Sequence, residues 1–229
     1  MLRRFFRSLN RTSIYAKPGS ATVEPEIRDD QPTVLNVGGH SKKIPIPAHY
    51  SGWRHLVLDI DPSGGADIVC DARELVHQKA AQFDAVYCSH NLEHYYHHEV
   101  PRVLAGFLRI LKPNGFAEIR VPDLIAAMKR MLSKGMDIED ELYVSAAGPI
   151  SVRDMIYGSA RLIERGGSDF MAHRTGFTER SLGDKLHQAG FQEIWLVPGP
   201  YEICAFAFKN PATPQQLQQL KLALTTEPG

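Results

Sequence analysis

Short apolar runs of strand length recur through the first half of the chain, at 33–37, 55–59, 67–70, 84–88 and 115–121. Apolar runs of this length without alternation are the pattern of strands buried on both faces. Between the last two, Val100, Val103, Leu104, Phe107, Leu108 and Leu111 fall at i, i+3, i+4, i+7, i+8 and i+11, the stripe of a helix with one core-facing side. Lys112-Pro113-Asn114-Gly115 then predicts a helix stop through a left-handed turn that feeds the next strand. Strands alternating with helices predict a doubly wound α/β fold, a mostly parallel sheet with helices on both faces. Past residue 150 the pattern changes. Residues 151–165 and 179–189 read as helices, Gly190-Phe191 as a cap and turn, and 193–197 and 202–208 as strands joined through Pro198-Gly199-Pro200. So short a connection makes those two an antiparallel pair at one edge of the sheet.

Residues 1–32 form a basic N-terminal extension and linker, 33–210 a single catalytic domain, and 211–229 a tail. In the tail Leu217, Leu220 and Leu224 suggest a short docked helix. Arg3, Arg4, Arg7, Arg11 and Lys17 come with Phe5, Phe6 and Leu9 and no acid. This segment reads as a frayed basic extension; a transit peptide or a weak contact of residues 1–17 with an anionic membrane surface is the alternative. No apolar stretch approaches the ~20 residues needed to cross a bilayer, so no transmembrane segment is expected. The 26 basic and 26 acidic side chains cancel, which removes any net pull towards nucleic acid. Cys70, Cys88 and Cys204 lie in strand-like runs without paired metal spacing, as reduced thiols of a cytoplasmic protein would.

The chemistry starts at Val34-Leu35-Asn36-Val37-Gly38-Gly39-His40, followed about twenty residues on by Leu56-Val57-Leu58-Asp59-Ile60-Asp61. Glycines after a strand let the backbone turn beneath a ligand, and a carboxylate at the tip of the next strand, Asp59, can accept both hydroxyl hydrogens of a ribose. A nucleoside-type cofactor is expected there. The stretch Ser89 to His98 holds His90, His94, His97 and His98. His90, nearest the strand end, is a candidate base. If the stretch were helical, His90, His94 and His98 would share a face as a conceivable metal site, but no accompanying ligand pattern supports it and no metal is expected. His94 reads either as an imidazole satisfied by backbone or as a contact to the acceptor. Further on, His173-Arg174-Thr175-Gly176-Phe177-Thr178 is either a helix start capped by Thr178 or an acceptor site. In the second reading His173 deprotonates a hydroxyl and Arg174 grips an anionic sugar or phosphate.

The order and spacing of these landmarks resemble the class I S-adenosylmethionine-dependent methyltransferases, in particular the small bacterial methyltransferase-domain type. They are the 34–39 loop, Gly52-Trp53 before Leu58-Asp59-Ile60-Asp61-Pro62, Asp71-Ala72, Phe83-Asp84-Ala85-Val86-Tyr87 with Leu92-Glu93-His94, Leu111-Lys112-Pro113-Asn114-Gly115, and Val121-Pro122-Asp123-Leu124. The resemblance implies S-adenosylmethionine as cofactor, a small-molecule or glycan-type acceptor, and a seven-stranded sheet in the order 3-2-1-4-5-7-6. It implies that Gly38 and Gly39 pass under the methionine and sugar, that Asp59 takes the ribose, and that Asp71 and Ala72 flank adenine. Ser89 and His90 would line the floor where sulfonium and acceptor meet. Asn36 stands where the family has an acid that helps hold the cofactor's amino end, and it brings no charge to that task. His40 and Lys42 stand where the later glycines of the loop would be. Two other readings stay open: a catalytically silent cofactor-binding module, and an NAD(P)-dependent oxidoreductase, which the lack of a Gly-x-Gly-x-x-Gly fingerprint disfavours.

Overall fold

The computed structural model describes residues 31–145, 148–166 and 169–222. The basic segment 1–17, most of the linker and Leu224 lie outside the described residues. β1 (Thr33–Val37), β2 (Arg54–Asp59), β3 (Ile68–Val69), β4 (Phe83–Ser89) and β5 (Leu111–Pro122) are followed by a hairpin of β6 (Glu141–Ser145) and β7 (Gly148–Ser151). β8 (Glu193–Pro198) and β9 (Glu202–Phe208) close the chain of strands. The helices are α1 (Val100–Ile110), α2 (Leu124–Lys134), α3 (Val152–Tyr157), α4 (Ala160–Gly166), α5 (Glu179–Ala189) and α6 (Pro214–Gln219).

β1 is buried along its whole length, as a strand paired on both edges and covered on both faces must be. It pairs in parallel with β2 and β4, placing Leu35 opposite Leu56 and Val86. The main sheet has seven strands in the order β3-β2-β1-β4-β5-β9-β8. Numbering only those seven in chain order gives 3-2-1-4-5-7-6, as the resemblance implied. β9 runs antiparallel to both β5 and β8, so the edge pair also stands as expected.

One face of the sheet packs on α1 and α5. Val100, Val103, Leu104, Phe107 and Ile110 of α1 are fully buried, each contributing roughly 1.5–3 kcal/mol as an upper estimate. The other face is an aromatic cluster of Tyr50, Phe116, Phe206 and Phe208, closed by Leu217, Leu220 and Leu222 of the tail. α6 contributes Leu217 to this closure. The connections before β4 carry no α-helix: single 3-10 segments at Ala48–Tyr50, Pro62–Gly64 and Ala72–His77 stand between the strands.

Two local expectations are corrected and one unassigned element is added. Asn114 and Gly115 are not left-handed: α1 stops at Ile110, Leu111 turns directly into an extended conformation, and the positive-φ residues lie elsewhere. Gly115 is needed for close approach, since a Cβ there would meet the Asp84 carbonyl and a Leu111 methyl at 3.0 Å. The helix expected over 151–165 is two helices broken at Gly158, whose φ of +88° brings the backbone so near residue 171 that a Cβ would lie 2.1 Å from the Met171 carbonyl oxygen. The β6–β7 hairpin, unassigned from sequence, pairs Tyr143 with Ile150 and buries Leu142 beside Ala127, Val152 and Met155. Among the described residues no helix is long and apolar enough to cross a membrane.

Candidate functional site

The carboxyl ends of β1, β2, β3 and β4 share one edge of the sheet, where a doubly wound fold forms its crevice. There the chain leaves β1 through Gly38, whose N–H donates to the Leu58 carbonyl at 2.8 Å. Asp59 at the tip of β2 fixes the turn: its Oδ2 accepts the His40 N–H and its Oδ1 the Asp61 N–H, both at 2.9 Å. Each carboxylate oxygen retains acceptor capacity beyond that one bond. The turn lies flat on two side-chain amides. With Gly38 at φ +73°, a Cβ would sit 2.2 Å from Asn91 Nδ2; a Cβ on Gly39 would sit 2.2 Å from Asn36 Nδ2. His40, in place of a family glycine, also takes positive φ, at 52°.

Asn36 thus supports the turn. It is buried beneath Gly39, with Nδ2 3.3 Å from His55 Nε2. Asn91, which the sequence did not single out, is the more telling amide: its Nδ2 lies against Gly38, and its Oδ1 is buried with no hydrogen-bond partner. A buried orphan acceptor under a glycine turn suits a ligand that brings a donor. Asp71 follows β3 and is already engaged, accepting from Arg73 N–H at 2.9 Å and from the Arg73 guanidinium, which also pairs with Glu99. Ala72 is buried in the following turn. Ser89 ends β4 opposite Arg120.

Beyond β4 the chain turns at His90, φ 49°, into a 3-10 turn at Leu92–His94. The stretch is not a helix, so His90, His94 and His98 do not share a face; His98 stacks on Tyr96 at 5.8 Å. Glu93 is the centre of this region. It is 1 % exposed, and neither carboxylate oxygen has a hydrogen-bond partner. Its main-chain carbonyl accepts the N–H groups of Arg174 and Thr175 at 2.8 and 3.2 Å, which ties the 171–176 segment to the turn. His90 Nδ1 stands 3.5 Å and His173 Nε2 3.9 Å from Glu93 Oε1. Burial alone would raise the Glu93 carboxyl, but His90, His94 and His173 hold it below the usual carboxylate range.

The histidines differ. His90 also lies 3.3 Å from Glu202 Oε2. Burial would lower it, yet the two carboxylates raise it to about 9, so in this arrangement it keeps its proton at neutral pH and is a poor base. His173 Nδ1 faces the Met155 carbonyl at 3.1 Å, so the ring N–H sits there and Nε2 carries the lone pair. Burial lowers His173 and Glu93 opposes this only in part. His94 has Nδ1 at 3.1 Å from the Ala172 carbonyl and Nε2 at 3.1 Å from the His90 carbonyl. Both of its ring nitrogens thus face backbone carbonyls. Arg174 pairs with Asp169 at 2.7 Å and lies over the Tyr96 ring at 5.0 Å.

The charges continue across the sheet. Glu202 Oε1 accepts from Arg120 at 2.9 Å, and Arg120 donates to Glu118 Oε1 at 2.9 Å. Glu118, fully buried inside β5, is met from the other side by His49 Nε2 at 2.8 Å. A charged residue inside the apolar run 115–121 was the sequence signal for this array.

A sheet in this order, with a glycine turn and a carboxylate at its carboxyl edge, defines a nucleoside-cofactor α/β fold. The family model described as a methyltransferase domain matches residues 3–195. The chain belongs to that family, the class I S-adenosylmethionine-dependent methyltransferases. The match begins inside the segment that the sequence set apart as extension and linker. No curated protein matches the chain. Among solved structures, the 1,6-didemethyltoxoflavin-N1-methyltransferase of Burkholderia thailandensis, with bound 1,6-didemethyltoxoflavin and S-adenosylhomocysteine, is 20 % identical, TM-score 0.46, covering 79 % of this chain and 72 % of that one. A SAM-dependent methyltransferase from Archaeoglobus fulgidus is 14 % identical, TM-score 0.49, covering 78 % and 86 %. The PH0226 protein of Pyrococcus horikoshii is 15 % identical, TM-score 0.49, covering 78 % and 82 %.

Proposed function

We propose that this chain transfers the methyl group of S-adenosylmethionine to a hydroxyl of a small-molecule or glycan-type acceptor. The observation that carries the reading is the crevice floor: a glycine turn pinned by Asp59 and lying against Asn91, whose buried Oδ1 lacks a partner. The cofactor supplies an electrophilic methyl on a sulfonium. Asp59 accepts from the ribose hydroxyls with its remaining lone pairs, and Asn91 Oδ1 accepts from the amino group. Gly38 and Gly39 allow the ligand to rest on backbone, and Asp71 and Ala72 border the base. Asn36 holds Gly39 from below.

Methyl transfer of this kind depends on alignment and exclusion of water. The acceptor end is the cluster at Glu93, with Ser89 and His90 at its floor and Arg174 at its edge. His173 takes the acceptor's proton at Nε2, because Met155 keeps its other nitrogen protonated. His90, charged between Glu93 and Glu202, serves as a donor.

Titration calorimetry with S-adenosylmethionine, S-adenosylhomocysteine and NAD tests the cofactor; binding of NAD in preference to both others would refute the reading. His173→Ala tests the proton route. Turnover should fall by about 10²-fold or more with S-adenosylhomocysteine affinity unchanged, and an unaltered rate would remove His173 from the mechanism.

A further inference from the structure

We propose that Glu93, His94 and His173 bind a divalent metal ion of the borderline class, such as zinc or cobalt, at the acceptor end of the crevice. The site is a different one from the His90/His94/His98 spacing considered in the sequence. Each of the three offers one donor atom, and these donors lie within 4.8 Å of one another. Two histidines and one carboxylate are an established ligand set for catalytic zinc and for other divalent ions, and three protein ligands leave positions to water or substrate.

Three observations point to a ligand here and not to a buried ion cluster complete in itself. The first is Glu93: a carboxylate 1 % exposed with no hydrogen bond to either oxygen is an anion taken out of water and balanced only by imidazoles at a distance. Its imidazole neighbours stand at 3.5 and 3.9 Å, beyond hydrogen-bond length. The second is the orientation of the rings. Nδ1 of His94 faces the Ala172 carbonyl and Nδ1 of His173 the Met155 carbonyl, each at 3.1 Å. Metal-binding histidines are held this way, one ring N–H on a backbone carbonyl and the other nitrogen turned to the ion. The third is His94 Nε2, which lies 3.1 Å from the His90 carbonyl oxygen. With the proton on Nδ1, Nε2 has only an acceptor opposite it, and ion binding would replace this contact.

Metal–ligand bonds of about 2.0–2.2 Å need donors roughly 3.3–3.5 Å apart. The 3.9 Å between His173 Nε2 and Glu93 Oε1 thus asks for a closure of about half an ångström, and a pair at the 4.8 Å limit for about 1.4 Å. The elements carrying the ligands are already tied together, since Glu93 O accepts the N–H groups of Arg174 and Thr175. This inference rests on the methyltransferase reading for the ion's use, not for its presence. With the ion bound, His173 Nε2 is a ligand and no longer the base; an acceptor hydroxyl would take an open position on the metal and, acidified there, lose its proton to solvent.

The test uses the full-length chain, stripped with a chelator, and cobalt(II) or zinc(II) alone as probe. We expect one ion per chain by equilibrium dialysis, visible cobalt ligand-field bands, and a rise in melting temperature with zinc. His173→Ala should lose the bands and weaken binding by more than the 10–100-fold typical of losing an outer partner. Glu93→Gln should do the same; should that variant fail to fold, His173→Ala and His94→Ala decide. Stoichiometric binding that both histidine variants retain unchanged, or no binding by the wild type at millimolar metal, overturns the proposal. S-adenosylhomocysteine titrated into the same samples separates the two levels: a chain that takes S-adenosylhomocysteine but no metal refutes only the ion, whereas one that takes neither refutes the functional reading as well.

Discussion

Gly38→Ala probes the crevice floor with an internal control. A Cβ at position 38 would fall 2.2 Å from Asn91 Nδ2, 2.5 Å from its Cγ and 2.9 Å from its Cβ. The backbone there is left-handed, φ +73°, which costs an alanine about 1–2 kcal/mol. Displacing the Asn91 side chain adds about 1–3 kcal/mol of overpacking. The total, about 2–5 kcal/mol, corresponds to a fall in melting temperature of about 5–15 °C for a chain of this size. Gly52 is also left-handed, φ +82°, but a Cβ there meets nothing within 4 Å. Gly52→Ala should therefore lose only the conformational part, about 1–2 kcal/mol. Urea unfolding measures both variants, and calorimetry measures S-adenosylhomocysteine binding. Gly38→Ala should weaken binding at least about tenfold, about 1.4 kcal/mol, while Gly52→Ala leaves it unchanged. A Gly38→Ala protein as stable as Gly52→Ala, with wild-type affinity, would refute the packing of the turn on Asn91.

Two further outcomes test the scaffold. Burial would raise the Glu118 carboxyl, but His49 and Arg120 hold it below the usual range. Its contribution to stability is therefore present above the unfolded value, about 4.3, and is lost as pH falls through the lower folded value. Unfolding free energy measured against pH should drop more steeply on acidification in the wild type than in Glu118→Gln; parallel curves would contradict the pairing. Phe107→Ala, at the fully buried centre of α1, should cost about 3–5 kcal/mol by urea titration, and a loss below about 1 kcal/mol would show that α1 is not packed as described.

The sheet was legible in the sequence because its strands are buried runs, and burial leaves a pattern. β1 at 33–37 and β9 at 202–208 lie where the pattern placed them. The β6–β7 hairpin was not legible. Its strands bury only Leu142 deeply and leave Val144 largely exposed, so neither a continuous apolar run nor a clean alternation marks them. The break at Gly158 was hidden for a different reason: it answers to residue 171, a contact that local periodicity does not contain. The candidate site divides in the same way. Gly38, Gly39 and Asp59 were readable because turn and strand-end chemistry is local. The environments of His90 and His173 were not, since the first is set by Glu202 and the second by Met155, far along the chain. Glu93 passed as part of a turn because only the fold reveals that its carboxylate is buried without a hydrogen bond.

The central claim is that Asp59 grips the ribose of an adenosyl cofactor above the Gly38 turn. Titration of S-adenosylhomocysteine into wild type and Asp59→Ala, with folding checked by circular dichroism, tests it most directly. Hydrogen bonds to a charged acceptor are worth about 1.5–3 kcal/mol each, so loss of the carboxylate should weaken binding by about 100-fold or more. A folded Asp59→Ala protein that binds S-adenosylhomocysteine as tightly as the wild type would contradict it.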